Sequence, residues 1–567
     1  MAPGFLGKMR KSPPAGSASG TDEKSRRRHS VKKTADASTT VIRVPSVTTG
    51  DIFGSDEVAR AANQHEQSMS MRYTVKYYHV AMIWAALMAA PIIMEGYETA
   101  LVPNFFSYEA FKKKFGRKAP GQTEYTIPTA WQSGITIAAA GGQLIGLWLA
   151  PRVVNRVGYR ICSAAGFVYA GICLMIGFWS MDTGKPLAVF LAGELLLGVP
   201  WGLFQGITLP YVSDITPLQL RAPATTMINV FWLVGQLASA GVLRGTREIK
   251  NEEWSIKVPM LVQYGWLLPL LYVAFMAPES PLHLTRNDQD EEAKKVLRRL
   301  NRDPLFDADG ALSVMRAVNA HEKEQSEQMG LLGCFKGINL RRTEIAVMVY
   351  VTQQWVGTPL IFYSVKLLQK GGLSESHALC VTIGMYALCI LSTLSSMLVM
   401  RRVGRRTLWL GGLLFEMTCL AAIGSLSFFC KYGPKAISWI IAAFLILFAV
   451  VYNFTIGPVC YTIVAETPAT RTKAATNSIA RGAYIVLAIA NFFLVPNLLE
   501  NKPVGWGLGA RAALVWAGTA AVCLVWAWFR LPEMKDRTPA EIDVLFENKI
   551  AARHWRKAVV WRDYELT

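Results

Sequence analysis

Stretches of about twenty apolar residues recur twelve times between residues 80 and 530, and nothing else in the chain constrains its fold as strongly. Each is long enough to cross a hydrocarbon core of roughly 30 Å at about 1.5 Å per residue. They lie near 80–104, 128–150, 158–180, 187–209, 222–243 and 259–277, then near 344–368, 376–399, 406–429, 437–463, 474–497 and 509–530. Charged residues make up 17% of the chain, against roughly 25% in a soluble domain. The pattern predicts an all-α membrane protein with twelve transmembrane helices. The lipid bilayer is its first partner.

The polar remainder divides the chain. Residues 1–78 read as a disordered, basic cytoplasmic tail, and no cleavable signal sequence is expected there. In that tail Arg26-Arg27-Arg28-His29-Ser30 reads as a kinase site or as a solvated basic run. Residues 79–277 form a first six-helix half. Residues 278–343 are charged with a helical pattern and form a cytoplasmic linker. Residues 344–530 form a second six-helix half, and 531–567 a cytoplasmic tail. A net charge of +19 sits mostly in tails and short loops, so it orients the helices and does not imply a nucleic-acid partner. With both termini inside, the inner loops carry Arg152, Arg156 and Arg160, then Arg401, Arg402, Arg405 and Arg406. One outer loop runs against this rule, with Lys112, Lys113, Lys114, Arg117 and Lys118.

Three features repeat at nearly one offset, which marks two homologous halves. Asn155–Arg160 is matched by Arg401–Arg406, Asp214…Arg221 by Glu466…Arg471, and Pro278-Glu279 by Pro532-Glu533. Arg160, Arg221, Arg406 and Arg471 are expected to face Asp214, Glu279, Glu466 and Glu533. Guanidinium–carboxylate pairs of this kind can latch the inner ends of the halves together.

Acids and amides inside the apolar runs mark the candidate site. Glu95 and Glu98 share a helix face, and a carboxylate in a bilayer turns toward a cavity or a partner. Arg481, inside the eleventh run, is their expected counter-charge, and these three residues are the candidate proton-coupling groups. Gln205, Gln236, Gln353, Gln354 and Asn491 donate and accept at once, which suits sugar hydroxyls. Tyr461 joins them as an aromatic face, and Trp201, Trp232, Trp355, Phe362 and Tyr363 flank the amides. Glu194 is a further intramembrane acid. Glu416 reads as a polar contact between helices near the lipid side. Gly457-Pro458 breaks a backbone hydrogen bond in the tenth run. Nine cysteines form no CxxC pair, so neither a metal nor a disulfide is expected, and no cofactor is implied. No GxxxxGK[ST], HExxH or GxSxG occurs, so an enzyme and an ATP-driven pump are both disfavoured.

Pro278-Glu279-Ser280-Pro281, Arg402–Arg406, Gly457-Pro458-Val459-Cys460-Tyr461 and Pro532–Thr538 resemble the sugar-porter branch of the major facilitator superfamily. Met94–Leu101, Pro200–Gln205, Tyr452–Pro458 and Glu541–Glu547 are most similar to the fungal α-glucoside (maltose-type) permeases. The resemblance implies a plasma-membrane symporter that imports a sugar, such as the α-glucoside maltose, with a proton by alternating access. A facilitative hexose or polyol uniporter and a transporter-like sugar sensor remain as alternatives. The chain departs from the family pattern at Glu98, where an Asp is usual, and at Gln143, often a Glu. Glu194 stands in place of an Arg, Tyr461 of a Trp, Pro359 of an Asn, and Asn155 and Arg401 of Asp.

Overall fold

The computed structural model describes residues 41–43, 57–118 and 125–561, apart from 305, 330, 371, 401, 430–433, 469–472, 501–503, 536 and 538. The chain forms two compact units. One, residues 1–46 with 557–567, holds a parallel pairing of Val41–Arg43 with Val559–Trp561. The other, residues 47–556, carries everything that follows.

Ten helices among the described residues are long and apolar enough to cross a membrane. One of them, Thr129–Asp182, is two spans joined at Gly158, whose φ of 82° lies outside the helical range. Residues 337–370 make one more crossing, broken at Gly357 (φ 93°) and Tyr363. The count is therefore twelve, in two runs of six. Span 1 is His79–Ala89 plus Pro91–Phe105. Spans 2 and 3 are 129–157 and 159–179. Spans 4, 5 and 6 are Pro186–Ile215, Leu218–Thr246 and Glu252–Met276. Spans 7, 8 and 9 are 337–370, Glu375–Val399 and Arg405–Leu426. Span 10 is Pro434–Phe454 plus Ile456–Glu466. Spans 11 and 12 are Lys473–Leu499 and Ala513–Arg530.

The bundle is inverted relative to a soluble protein. Leu398, Leu268 and Ile172 point outward, while Glu95, Glu98, Gln263 and Gln353 are buried. Apolar side chains on the outside fit a hydrocarbon solvent, in which interior polar groups find partners only within the protein.

Glycines set how closely two of the site-bearing helices approach. Gly142 and Gly146 on span 2 face Gly198 and Gly202 on span 4, and a Cβ at any of them would collide with backbone of the other helix. Small residues four apart let helix backbones touch in a membrane. Gln143 and Trp201 are carried at this seam.

The repeated motifs have a structural role at the linker end. The Glu279 carboxylate accepts the backbone N–H groups of Tyr159 (2.8 Å) and Arg160 (3.1 Å) at the start of span 3. Glu533 accepts those of Arg405 (2.8 Å) and Arg406 (3.2 Å) at the start of span 9. A carboxylate at a helix N-terminus satisfies orphan donors and complements the helix dipole. A Cβ at Gly158 or Gly404 would strike that carboxylate.

Two expectations are corrected, and the basic outer loop finds partners. Residues 57–68 and 71–77, assigned to the disordered tail, are helical; Leu218 N and Gln219 Nε2 donate to Glu66 on the first of them. The basic run at 112–118 is partly neutralised in place: Lys113 reaches Glu109 (3.0 Å) and Glu252 (3.6 Å), and Lys114 reaches Glu253 (3.5 Å). Glu416 is fully buried in span 9 with both oxygens unpartnered, so it makes no polar contact between helices.

Candidate functional site: a polar cavity between the halves

Spans 1, 2, 4 and 5 of the first half and spans 7 and 11 of the second enclose a cavity. It holds about 660 Å³ of atom-free space, counting the part open to solvent. Its polar lining is Glu95, Glu98, Thr99, Thr136, Gln143, Glu194, Gln205, Gln354 and Arg481; Trp201, Trp232, Phe362 and Tyr484 supply aromatic faces.

A chain of polar contacts joins the two halves across it. Gln205 Nε2 on span 4 donates to Glu95 Oε1 on span 1. Arg481 Nε on span 11 donates 2.9 Å to Gln205 Oε1. The guanidinium also lies over the rings of Tyr484 (4.4 Å) and Tyr350 (5.6 Å). Arg481 thus meets Glu95 through an amide and not by a direct ion pair. Glu98, expected beside Arg481, is engaged elsewhere: Gln263 Nε2 on span 6 donates to its Oε2, and Glu194 on span 4 is its hydrogen-bonding neighbour.

Of the candidate sugar-binding residues, Gln205 and Gln354 line the cavity. Gln236, Gln353, Tyr461 and Asn491 do not. Asn491 spends its amide on Gln354 O and Oε1, both at 3.2 Å, and accepts Trp516 Nε1 at 3.3 Å, which ties span 11 to spans 7 and 12. Gln236 Nε2 and Gln353 Nε2 are buried without a partner. Trp201 Nε1 is a buried, unpartnered donor in a residue of the lining. The lining residues Thr99, Tyr484 and Phe492, and the amide Gln263, were not singled out from sequence. An apolar run gives no sign of which side faces inward.

The charges expected to latch the linker end do not cross between halves in their described contacts. Arg160 offers only its backbone, to Glu279. Ser280 Oγ donates to Asp214 (2.8 Å), and Arg221 Nε donates to Thr216 O (3.3 Å). Arg406 donates to Trp528 O (2.8 Å), and it is Arg405 that pairs with Glu466 (2.8 Å). Arg471 lies outside the described residues. In their described contacts these residues form helix caps and intra-half bridges at that end.

Deeper in the bundle Asn229 Nδ2 on span 5 donates to Thr393 Oγ1 on span 8 and Asn453 Oδ1 on span 10, both at 3.3 Å, and a charged cluster joins the halves at the opposite end. Gln132 at the start of span 2 accepts Lys366 Nζ on span 7 (2.5 Å) and donates to Glu500 Oε1 after span 11 (3.3 Å). Glu500 bridges Lys366 and Lys370, both at 2.8 Å. Thr129 donates to Val504 O (3.1 Å), Gln369 to Ser107 O (3.4 Å), and Arg247 lies 3.6 Å from Glu375. Burial alone would raise the Glu500 carboxyl, but the two ammonium groups outweigh it and hold it at about 2.

Two six-helix halves around a polar cavity, clasped by buried charges at one end, define a membrane carrier of the major facilitator fold. XylE, a proton:xylose symporter solved with 6-bromo-6-deoxy-D-glucose, superposes with a TM-score of 0.67 at 19% identity, covering 84% of this chain and 100% of that one. The partially occluded inward-open form of XylE from E. coli gives 0.66 at 19% identity, over 82% and 100%. The chain belongs to the sugar (and other) transporter family, whose profile matches residues 83–546. Among curated proteins, a general alpha-glucoside permease of Saccharomyces cerevisiae is 34% identical over 510 residues, covering 88% of this chain and 81% of the permease. The maltose permease MAL61 of the same species is 32% identical over 508 residues, with the same coverages.

Proposed function

We propose that this protein imports an α-glucoside sugar together with a proton across the plasma membrane, by alternating access, with both termini in the cytoplasm. The observation that carries the reading is the Glu95–Gln205–Arg481 chain, which crosses the cavity from spans 1 and 4 to span 11. An acid in one half and a cation in the other give the halves a charge-dependent attraction across the space a substrate would occupy. The Trp201 indole donor and the Gln354 amide offer bonds to hydroxyls, and the rings of Trp232, Phe362 and Tyr484 offer stacking faces. The permease relatives support the α-glucoside class. In this reading the clasp at Gln132, Lys366 and Glu500 closes the outer end, and the described conformation is shut to the outside.

One observation favours facilitative transport as a second reading: Gln143, a neutral amide, lines the cavity. Uptake of labelled maltose, other α-glucosides, glucose and xylose in a transporter-null yeast, with external pH recorded, tests both. Symport gives alkalinisation on adding the transported sugar and uptake that a protonophore abolishes. Sugar entry that ignores protonophore and pH would sink the proton half of the proposal. Failure to carry any of the sugars would sink all of it.

A further inference from the structure

The cavity contains a second acidic feature that the bridge through Gln205 does not use. Its lining carries three carboxyl groups, Glu95, Glu98 and Glu194, and one guanidinium, Arg481. Arg481 is committed to Gln205, which holds Glu95, so those two charges balance. Glu98 on span 1 and Glu194 on span 4 remain, in hydrogen-bonding contact with each other and 7% and 4% exposed.

No cation faces this pair among the described residues. Span 6 presents Gln263, an amide, and its Lys257 is held at the far end by Asp182 (3.0 Å) and Glu253 (2.8 Å). Span 2 presents Gln143, and span 5 presents Trp232. Tyr97, next to Glu98 in sequence, donates its hydroxyl to Pro259 O (2.7 Å). Two adjacent buried carboxylates without a cation repel too strongly to be ionised together, so such a pair holds at least one proton. A carboxyl–carboxyl hydrogen bond itself requires that proton, because two carboxylates only accept. The direction is set by Gln263: its Nε2 donates to Glu98 Oε2, which favours Glu98 as the acceptor, and the O–H then belongs to Glu194.

We propose that Glu194 and Glu98 form a two-carboxyl proton site, separate from the Arg481–Gln205–Glu95 bridge, and that this pair carries the transported proton. The proposal rests on the symport reading above. The proton arrives at Glu194 from the outer solution when the clasp opens and leaves to the cytoplasm when it closes. No bond other than O–H forms or breaks. Both acids sit in the first half, so losing the proton makes that half more negative toward Arg481 in the second. Proton release and the attraction between halves are thereby linked.

The test uses purified full-length protein in proteoliposomes, with three readings: sugar exchange, sugar-driven proton uptake and the pH dependence of apparent sugar affinity. Glu194→Gln imitates the protonated group, since its amide can still donate to Glu98. It is expected to lose sugar-driven proton uptake and the pH dependence of affinity while sugar exchange continues at a reduced rate. Glu194→Asp is expected to restore both lost readings. A Glu194→Gln protein that moves protons with sugar as the wild type does overturns the proposal. A wild type that exchanges sugar without protons overturns it by removing symport, and one that exchanges no sugar overturns the transport reading and this site with it. Infrared spectra of the wild type read the site without any variant. A protonated-carboxyl C=O band that changes with sugar is expected, and its absence overturns the proposal.

Discussion

Under the proposed orientation, Gln132→Leu isolates what holds the outer end shut. The Lys366–Glu500–Lys370 cluster lies wholly in the second half, so it persists whether that end is open or closed. Gln132, buried in the first half, is the group that must detach from it. Its contacts to an ammonium at 2.5 Å and a carboxylate at 3.3 Å are charge-assisted, and such bonds contribute about 1.5–3 kcal/mol each. Rehydration in the open state and the apolar contacts of leucine offset part of this, leaving a net loss of about 2–3 kcal/mol. At about 1.4 kcal/mol per tenfold, the closed-to-open ratio falls roughly 30- to 140-fold. The shift is readable at Val102, which lines the cavity on span 1. In a Val102→Cys background a membrane-impermeant maleimide added outside reacts only when the outer end opens. Cys380, the exposed cysteine among the described residues, and Cys430 are first replaced by serine. The labelling rate is expected to rise at least tenfold with Gln132→Leu. A rate within a factor of about two of the parent would show that the clasp does not govern opening.

Three further outcomes follow from the geometry. In the same labelling assay the ratio of the Gln132→Leu rate to the parent rate, which cancels the pH dependence of the thiol, is expected to stay constant from about pH 7 to pH 5, because a carboxyl lowered from 4.5 to about 2 keeps its contribution above the higher value and loses it as pH falls through the lower; a ratio that falls toward one over that range would mean that Glu500 is protonated there and the clasp lost with it. Gly202→Ala puts a Cβ into the Gln143 backbone and is expected to cost about 1–3 kcal/mol by overpacking, seen as a lower melting temperature in detergent; an unchanged melting point would mean that spans 2 and 4 do not touch there. Glu279→Gln and Glu533→Gln each weaken a charged helix cap, with an expected loss of about 0.5–2 kcal/mol apiece; thermal unfolding that responds to one and not the other would contradict equivalent roles in the two halves.

The repeat and the twelve crossings were legible in the order of residues because hydropathy acts locally: about twenty apolar side chains in a row have one favourable solvent. Glu95, Arg481, Gln205 and Gln354 were legible as a site for a related reason, since a polar group in such a run must turn inward. What could not be read was the partner each would find. Gln236, Gln353, Tyr461 and Asn491 have the same chemistry as the residues that line the cavity but are not part of its lining: Asn491 is bonded to Gln354, and Tyr461 packs on Tyr350, a ring beneath Arg481. The repeated acids announced guanidinium pairs, yet Glu279 and Glu533 bind backbone N–H groups, because the glycines at 158 and 404 let the carboxylates approach the helix starts. Which of the buried acids Gln263 and Glu194 would meet was equally hidden; it is Glu98. The clasp depends on residues 132, 366 and 500, which lie far apart along the chain and meet in the assembled bundle. Membrane insertion is decided one helix at a time and is therefore written along the chain; the pairing of buried charges is decided by distances between helices, which only the assembled bundle sets.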